Sequence, residues 1–199
     1  MSIVSFIIFP TMIGFLAISE NFVLILLTEK WLPATIFIQI FCVVYMFNVI
    51  QTGNLQVIRA IGRSDIILKL EIIKKSLYFA VILLFVLFTN NPIYLGVACV
   101  INTFIATIVN VAPNKKLVGY TYSMQLSDLL WNFLTALAMG CIVFLMGFLN
   151  LNVYLLTVLQ IVTGVITYVI LSFITRNPNA KDLISIIKGF LMKRSAVDK

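Results

Sequence analysis

Histidine is absent from the 199-residue sequence, and cysteine occurs only three times. The absence of histidine excludes histidine-based triads, histidine-ligated zinc and imidazole proton relays. Cys42, Cys99 and Cys141 each lie in an apolar run and form no CxxC pair, which is typical of small core residues. The chain also lacks GxxxxGK[ST], HExxH and GxSxG motifs. We therefore expect no enzyme activity, no metal site and no cofactor.

Charge is scarce as well. Only 11% of the residues are charged, whereas 62% are hydrophobic and the mean hydropathy is +1.12. Soluble domains carry about 25% charged and about 45–50% apolar residues. A soluble core cannot hide this excess of apolar surface, and disordered chains are poor in apolar residues. Composition thus predicts an integral membrane protein whose surroundings are the lipid bilayer, and the net charge of +7 indicates orientation in the membrane rather than nucleic-acid binding.

Six apolar stretches are each long enough for a helix of about 20 residues that crosses a hydrocarbon core of about 30 Å. They cover residues 3–27, 33–58, 66–88, 92–111, 126–149 and 153–175. Polar breaks separate them, the longest from Pro113 to Asp128. Backbone groups in lipid must be satisfied within the segment, and barrel strands would be shorter and alternating in polarity. We predict an all-α membrane protein with six transmembrane helices in residues 1–176.

The basic residues are distributed unevenly along the chain. Thirteen of the 14 fall on one side of a six-span arrangement: Arg59, Arg63, Lys69, Lys74, Lys75, Lys115, Lys116, Arg176, Lys181, Lys188, Lys193, Arg194 and Lys199. Only Lys30 falls on the other side. The positive-inside rule makes the basic side cytoplasmic, with both termini inside. Residues 177–199 form a basic tail that we expect to be an amphipathic helix along the inner leaflet, the alternative being a short solvated helix.

Polar residues within the second stretch share one helical face. Asn48, Thr52, Gln56, Arg59 and Arg63 follow steps of four, four, three and four residues. Gln51 and Asn54 flank this face. The face is either a hydrophilic, cationic lining for an anionic head group, or a set of interhelical hydrogen bonds with two arginines that snorkel to the interface. The candidate substrate-path residues are Asn48, Gln51, Thr52, Gln56, Arg59 and Arg63.

Other polar residues carry weaker functional hypotheses. Glu20 is the carboxylate nearest the interior of the first stretch and is a candidate coupling residue, unless it lies at the outer interface. Asn102 and Asn110 of the fourth stretch either line a path or pack between helices. Glu71 and Lys75 have the spacing of a local ion pair.

Several motifs resemble those of one membrane family. They are EKWLPA at 29–34, RAIGRSDIILKLEIIKK at 59–75, NKKLVGY at 114–120, QLSDL at 125–129 and Tyr168. They resemble the polysaccharide and lipopolysaccharide exporters of the multidrug/oligosaccharidyl-lipid/polysaccharide exporter superfamily. The family usually has Gly before Glu-Lys-Trp, where this chain has Thr28. Its members are more than twice as long and have two lobes, so the resemblance implies the C-terminal lobe of a two-lobe exporter whose N-terminal lobe is missing here.

The resemblance also implies a function. Such exporters flip a lipid-linked oligosaccharide, carried on a polyprenyl pyrophosphate, across the bacterial inner membrane by alternating access. A cationic cavity suits the pyrophosphate, and Arg59 and Arg63 are the candidates to contact it. The alternatives are an efflux carrier for another cargo in the same architecture, or a membrane remnant that does not transport.

Overall fold

The computed structural model describes residues 1–88 and 91–175, together with Asn177, Asn179, Ala180, Leu183 and Ser185. Nearly all of these residues are helical, in six long helices: α1 (Ser2–Leu26), α2 (Thr35–Ala60), α3 (Ser64–Phe88), α4 (Ile93–Val118), α5 (Tyr122–Met146) and α6 (Val153–Ile174). A short 3₁₀ helix, Glu29–Ala34, joins α1 to α2. The all-α prediction is confirmed for this part of the chain. The predicted amphipathic helix of the tail lies almost wholly outside the described residues.

Five of the six helices are long and apolar enough to cross a membrane. They are α1, α2 with its preceding turn, α4, α5 and α6. α3 differs because its first half carries Asp65, Lys69, Glu71, Lys74 and Lys75, and only residues 76–88 form an uncharged run. Large apolar side chains are widely exposed, up to 79% at Phe88. A multi-pass membrane protein is consistent with this surface, since water would disfavour so much apolar exposure.

The helices form two groups of three. α1 packs against α5 and α6, and α4 packs against α2 and α3. Contact between α1 and α2 joins the two groups. The apolar core lies in the first group and at this junction, where it includes Phe9, Ile13 and Met139. Gly140 of α5 lets α1 approach closely, because a Cβ atom there would collide with the Ile13 side chain.

A hydrogen bond from α6 supports α1 at its internal proline. Pro10 has no N–H, so the carbonyl of Phe6, four residues earlier, has no donor within the helix. The Tyr168 hydroxyl of α6 donates to this carbonyl at 2.7 Å. The proline and the tyrosine are therefore complementary features of two neighbouring helices.

The connection between α4 and α5 is shorter than the sequence predicted. α4 continues through Pro113 to Val118, and α5 begins at Tyr122. Gly119 ends α4 with a φ of 71°, a left-handed conformation that glycine adopts readily. The Tyr120 hydroxyl donates to Asp128. Loss of hydration, and then this hydrogen bond, raises the pKa of Tyr120 to about 12.

Candidate functional site

The exposed face of α2 holds most of the predicted path residues. Asn48, Thr52, Gln56 and Arg59 are all exposed on this one side of the helix. From Asn48 to Arg59 the helix rises about 17 Å. Arg63 lies just beyond α2, in the turn that leads to α3, and is also exposed. We call Asn48, Thr52, Gln56 and Arg59 the polar face.

Most polar groups of this face have no partner in the described part of the chain. The Thr52 hydroxyl donates to the carbonyl of Asn48 in its own helix. The side-chain amides of Asn48 and Gln56 and the Arg59 guanidinium form no hydrogen bond or ion pair with any described residue. These amides and this cation are thus available to a ligand, to water or to another chain.

The flanking polar residues have a different environment. The Gln51 side chain of α2 donates to the Thr103 carbonyl at 3.2 Å and to the Thr107 hydroxyl at 3.3 Å, both on α4. Asn54 is fully buried and exchanges hydrogen bonds of 2.8 and 3.0 Å with Gln125 of α5. These two residues therefore make interhelical hydrogen bonds, whereas the polar face does not.

The two candidate arginines differ in their charge environment. Arg63 binds Asp65 through two hydrogen bonds, from Nε to Oδ1 at 2.9 Å and from Nη2 to Oδ2 at 3.0 Å. This pairing raises the pKa of Arg63 and lowers that of Asp65, chiefly through the hydrogen bond between them. Arg59 has no such carboxylate among the described residues. Of the two, Arg59 is the cation that retains its full capacity for an anionic ligand.

Aromatic residues extend the polar face toward the other end of α2. Tyr45 and Phe41 continue the same helical side and are about half exposed. They border an apolar cleft of about 370 Å³ between α1 and α2, which Met12 and Phe15 also line. Met12 and Phe15 line a second cleft as well, of about 470 Å³, between α1 and α6. Sequence reasoning missed this apolar extension, although the same spacing of three and four residues continues to it.

Glu20 lies far along the bundle from the polar face. It is exposed on α1, one position after Ser19, whose hydroxyl accepts a 3.0 Å hydrogen bond from Gln39 of α2. Gln39 precedes Asn48, the nearest residue of the polar face, by nine residues, a rise of about 14 Å along α2, and Arg59 by 20 residues, a rise of about 30 Å. The structure therefore does not bring Glu20 together with the candidate path residues.

Comparison with known proteins adds nothing to these geometric observations. No protein-family model, curated protein or solved structure matches the chain. Among the described residues, no group of three or more His, Cys, Asp or Glu side chains is close enough to hold a metal ion. The polar face and its surroundings are therefore the features of this chain that bear on its function.

Proposed function

We propose that this chain is one lobe of a bacterial inner-membrane exporter that flips a lipid-linked oligosaccharide. The polar face of α2 lines the path of the saccharide and its pyrophosphate. Both termini are cytoplasmic, so Arg59 lies at the cytoplasmic end of that path. A second lobe, outside this chain, closes the path from the opposite side.

The exposure of the polar face carries this proposal. Burying an amide without a hydrogen-bond partner in an apolar medium costs about 2–7 kcal/mol. Asn48 and Gln56 have no partner among the described residues, so direct contact with lipid tails is unfavourable for both. A water-filled cavity between two lobes satisfies these amides and also accepts a hydrophilic saccharide.

The surroundings of the polar face fit the chemistry of such a cargo. A polyprenyl-linked saccharide has a long apolar tail, an anionic pyrophosphate and a polar sugar. The apolar clefts beside α1 suit a lipid tail, and Arg59 suits a pyrophosphate. The path of a purely apolar cargo does not need the unpaired amides of Asn48 and Gln56, which lie on α2 between the apolar clefts and Arg59.

Complementation of a strain deficient in polysaccharide export, by the gene that encodes both lobes, tests the proposal. The variant N48L/T52V/Q56L should lose export at least tenfold, because it removes the hydrogen-bonding groups of the polar face. Thr175→Val is the matched control, since the Thr175 hydroxyl, like that of Thr52, bonds a carbonyl of its own helix and lies away from α2. Each variant must reach the membrane in normal amounts.

The arginines provide a finer test. We expect Arg59→Ala to reduce export more than Arg63→Ala, because Asp65 already pairs with Arg63. Wild-type export by the R59A/R63A double variant would remove both arginines from the mechanism. Failure of the wild-type gene that encodes both lobes to restore export, with surface polysaccharide as the readout, would refute this class of cargo.

A further inference from the structure

A polar cavity lies between α2, α3 and α4. Its volume is about 160 Å³, whereas one water molecule occupies about 30 Å³ in the liquid. The polar residues that line it are Gln51, Glu71, Lys74, Lys75, Tyr78 and Asn102. We call it the α3 cavity.

The ionic groups of the α3 cavity leave a positive charge unpaired. Lys74 has a side chain only 13% exposed and pairs with Glu71, one helical turn earlier. Sequence spacing had instead predicted a pair between Glu71 and Lys75. Lys75 forms no ion pair in the described part of the chain. Two ammonium groups thus face one carboxylate, and Lys75 is the uncompensated cation.

Asn102, which lines the same cavity, carries an unpaired donor. Asn102 of α4 is only 7% exposed, and its Nδ2 has no hydrogen-bond acceptor in the described structure. Buried amide groups are nearly always hydrogen-bonded, so an unpaired N–H points to a missing acceptor. The groups left free here are a cation and an N–H donor, which together favour an anion over a metal ion.

The position of the cavity along α3 indicates where such an anion comes from. Lys74 and Lys75 are the last charged residues before the uncharged run 76–88. If that run lies in hydrocarbon, both ammonium groups are at the level where lipid phosphates lie. Phosphate is also a favoured partner of lysine.

We propose that the α3 cavity binds a phosphate group, held by Lys75 and by the Nδ2 of Asn102, with Lys74 and Glu71 fixing its local charge. Neither Arg59 nor the polar face takes part, so this site is independent of the transport proposal. The position of Lys74 and Lys75 directly before the uncharged run 76–88 favours the phosphate of an anionic lipid. A free phosphate ion presents the same anionic oxygens to Lys75 and Asn102.

Binding to the purified protein in detergent micelles tests the proposal. One arm titrates inorganic phosphate by calorimetry, and the other measures retention of phosphatidylglycerol against phosphatidylcholine by native mass spectrometry. We expect preferential retention of phosphatidylglycerol, and about tenfold weaker binding by Lys75→Gln and by Asn102→Ala. Binding of inorganic phosphate with the same variant dependence would support the site and identify its source as a free ion.

Lys69→Gln is the matched control, because Lys69 is an exposed lysine of α3 outside the cavity. It should bind as the wild type does, within about twofold. Equal losses in K69Q and K75Q would show attraction to surface charge in general and would overturn the proposal. Absence of binding in both arms would also overturn it. Circular dichroism checks that N102A is folded, and K75Q, at an exposed position, tests the site without disturbing packing.

Discussion

Replacing Tyr168 by Phe should destabilise the bundle only while Pro10 is present. The Tyr168 hydroxyl donates to the Phe6 carbonyl at 2.7 Å, and Pro10 provides no N–H for that carbonyl. Pro10→Ala restores an N–H at position 10, which then bonds the Phe6 carbonyl within α1. The hydroxyl of Tyr168 is redundant in that background.

The size of the effect follows from burial. Leaving a buried carbonyl without a donor costs about 1–3 kcal/mol in soluble proteins. Interhelical hydrogen bonds in membranes average about 0.6 kcal/mol and reach about 1.7 kcal/mol. Tyr168 is only 8% exposed, and the carbonyl has no helical alternative. We therefore expect Tyr168→Phe to cost about 1–2 kcal/mol with Pro10 present, and less than about 0.5 kcal/mol in the Pro10→Ala background.

A double-mutant cycle measures this coupling. The purified protein is unfolded from mild detergent by added dodecyl sulfate, and helix content is followed by circular dichroism. Tyr45→Phe serves as the control, because the exposed Tyr45 hydroxyl makes no hydrogen bond to a described residue. Equal losses of stability from Tyr168→Phe in the two backgrounds would refute the link between the proline and the tyrosine.

Two further predictions concern packing and pH. Gly140→Ala should lower the free energy of unfolding by about 1–3 kcal/mol, because the added Cβ collides with the Ile13 side chain. Gly14→Ala is the control and should be tolerated, because the nearest neighbour of its Cβ would be 3.9 Å away. Unfolding by dodecyl sulfate compares the two variants. Folded Tyr120 keeps its proton to about pH 12, and an unfolded tyrosine loses it near pH 10, so stability should fall between these values. Tyr120→Phe should flatten that fall in unfolding midpoints measured against pH; an unchanged slope would contradict the assignment.

Apolar run length and charge placement predicted most of the helix positions. Each of the six predicted stretches corresponds to one helix. For five of them the reason is an apolar run of about 20 residues, which in lipid is stable chiefly as a helix. The uncharged run of α3 is shorter, at residues 76–88. Pro113 was misjudged as a break. α4 passes through it, and the next residue, Asn114, packs against α2 by donating to the Asn54 carbonyl at 3.1 Å. Such tertiary contact outweighs the local preference of one proline.

The candidate site was predictable only in part. Helical spacing placed Asn48 and Thr52 on one side of α2, and the structure has both exposed there. Spacing alone did not separate them from Gln51, which lies about 60° from Asn48 and about 100° from Thr52 around the helix and donates hydrogen bonds to α4. Which neighbouring helix covers which side depends on the packing of the whole bundle. The packing of α3 against its neighbours likewise decides that Glu71 pairs with Lys74 and not with Lys75.

Water access to the polar face directly tests whether this face lines a hydrophilic path. Single cysteines replace Thr52 or Gln56 in a chain whose Cys42, Cys99 and Cys141 are changed to Ala. A cysteine at Ile108, an exposed apolar position of α4 next to Thr107, which bonds Gln51 of α2, is the control. Inside-out membrane vesicles are then treated with a membrane-impermeant thiol reagent.

Cysteines at positions 52 and 56 should react on the order of tenfold or more faster than a cysteine at position 108, because the hydrated thiolate is the reactive form. Slow labelling of all three positions, at equal rates, would place the polar face against lipid or protein and contradict the proposed path.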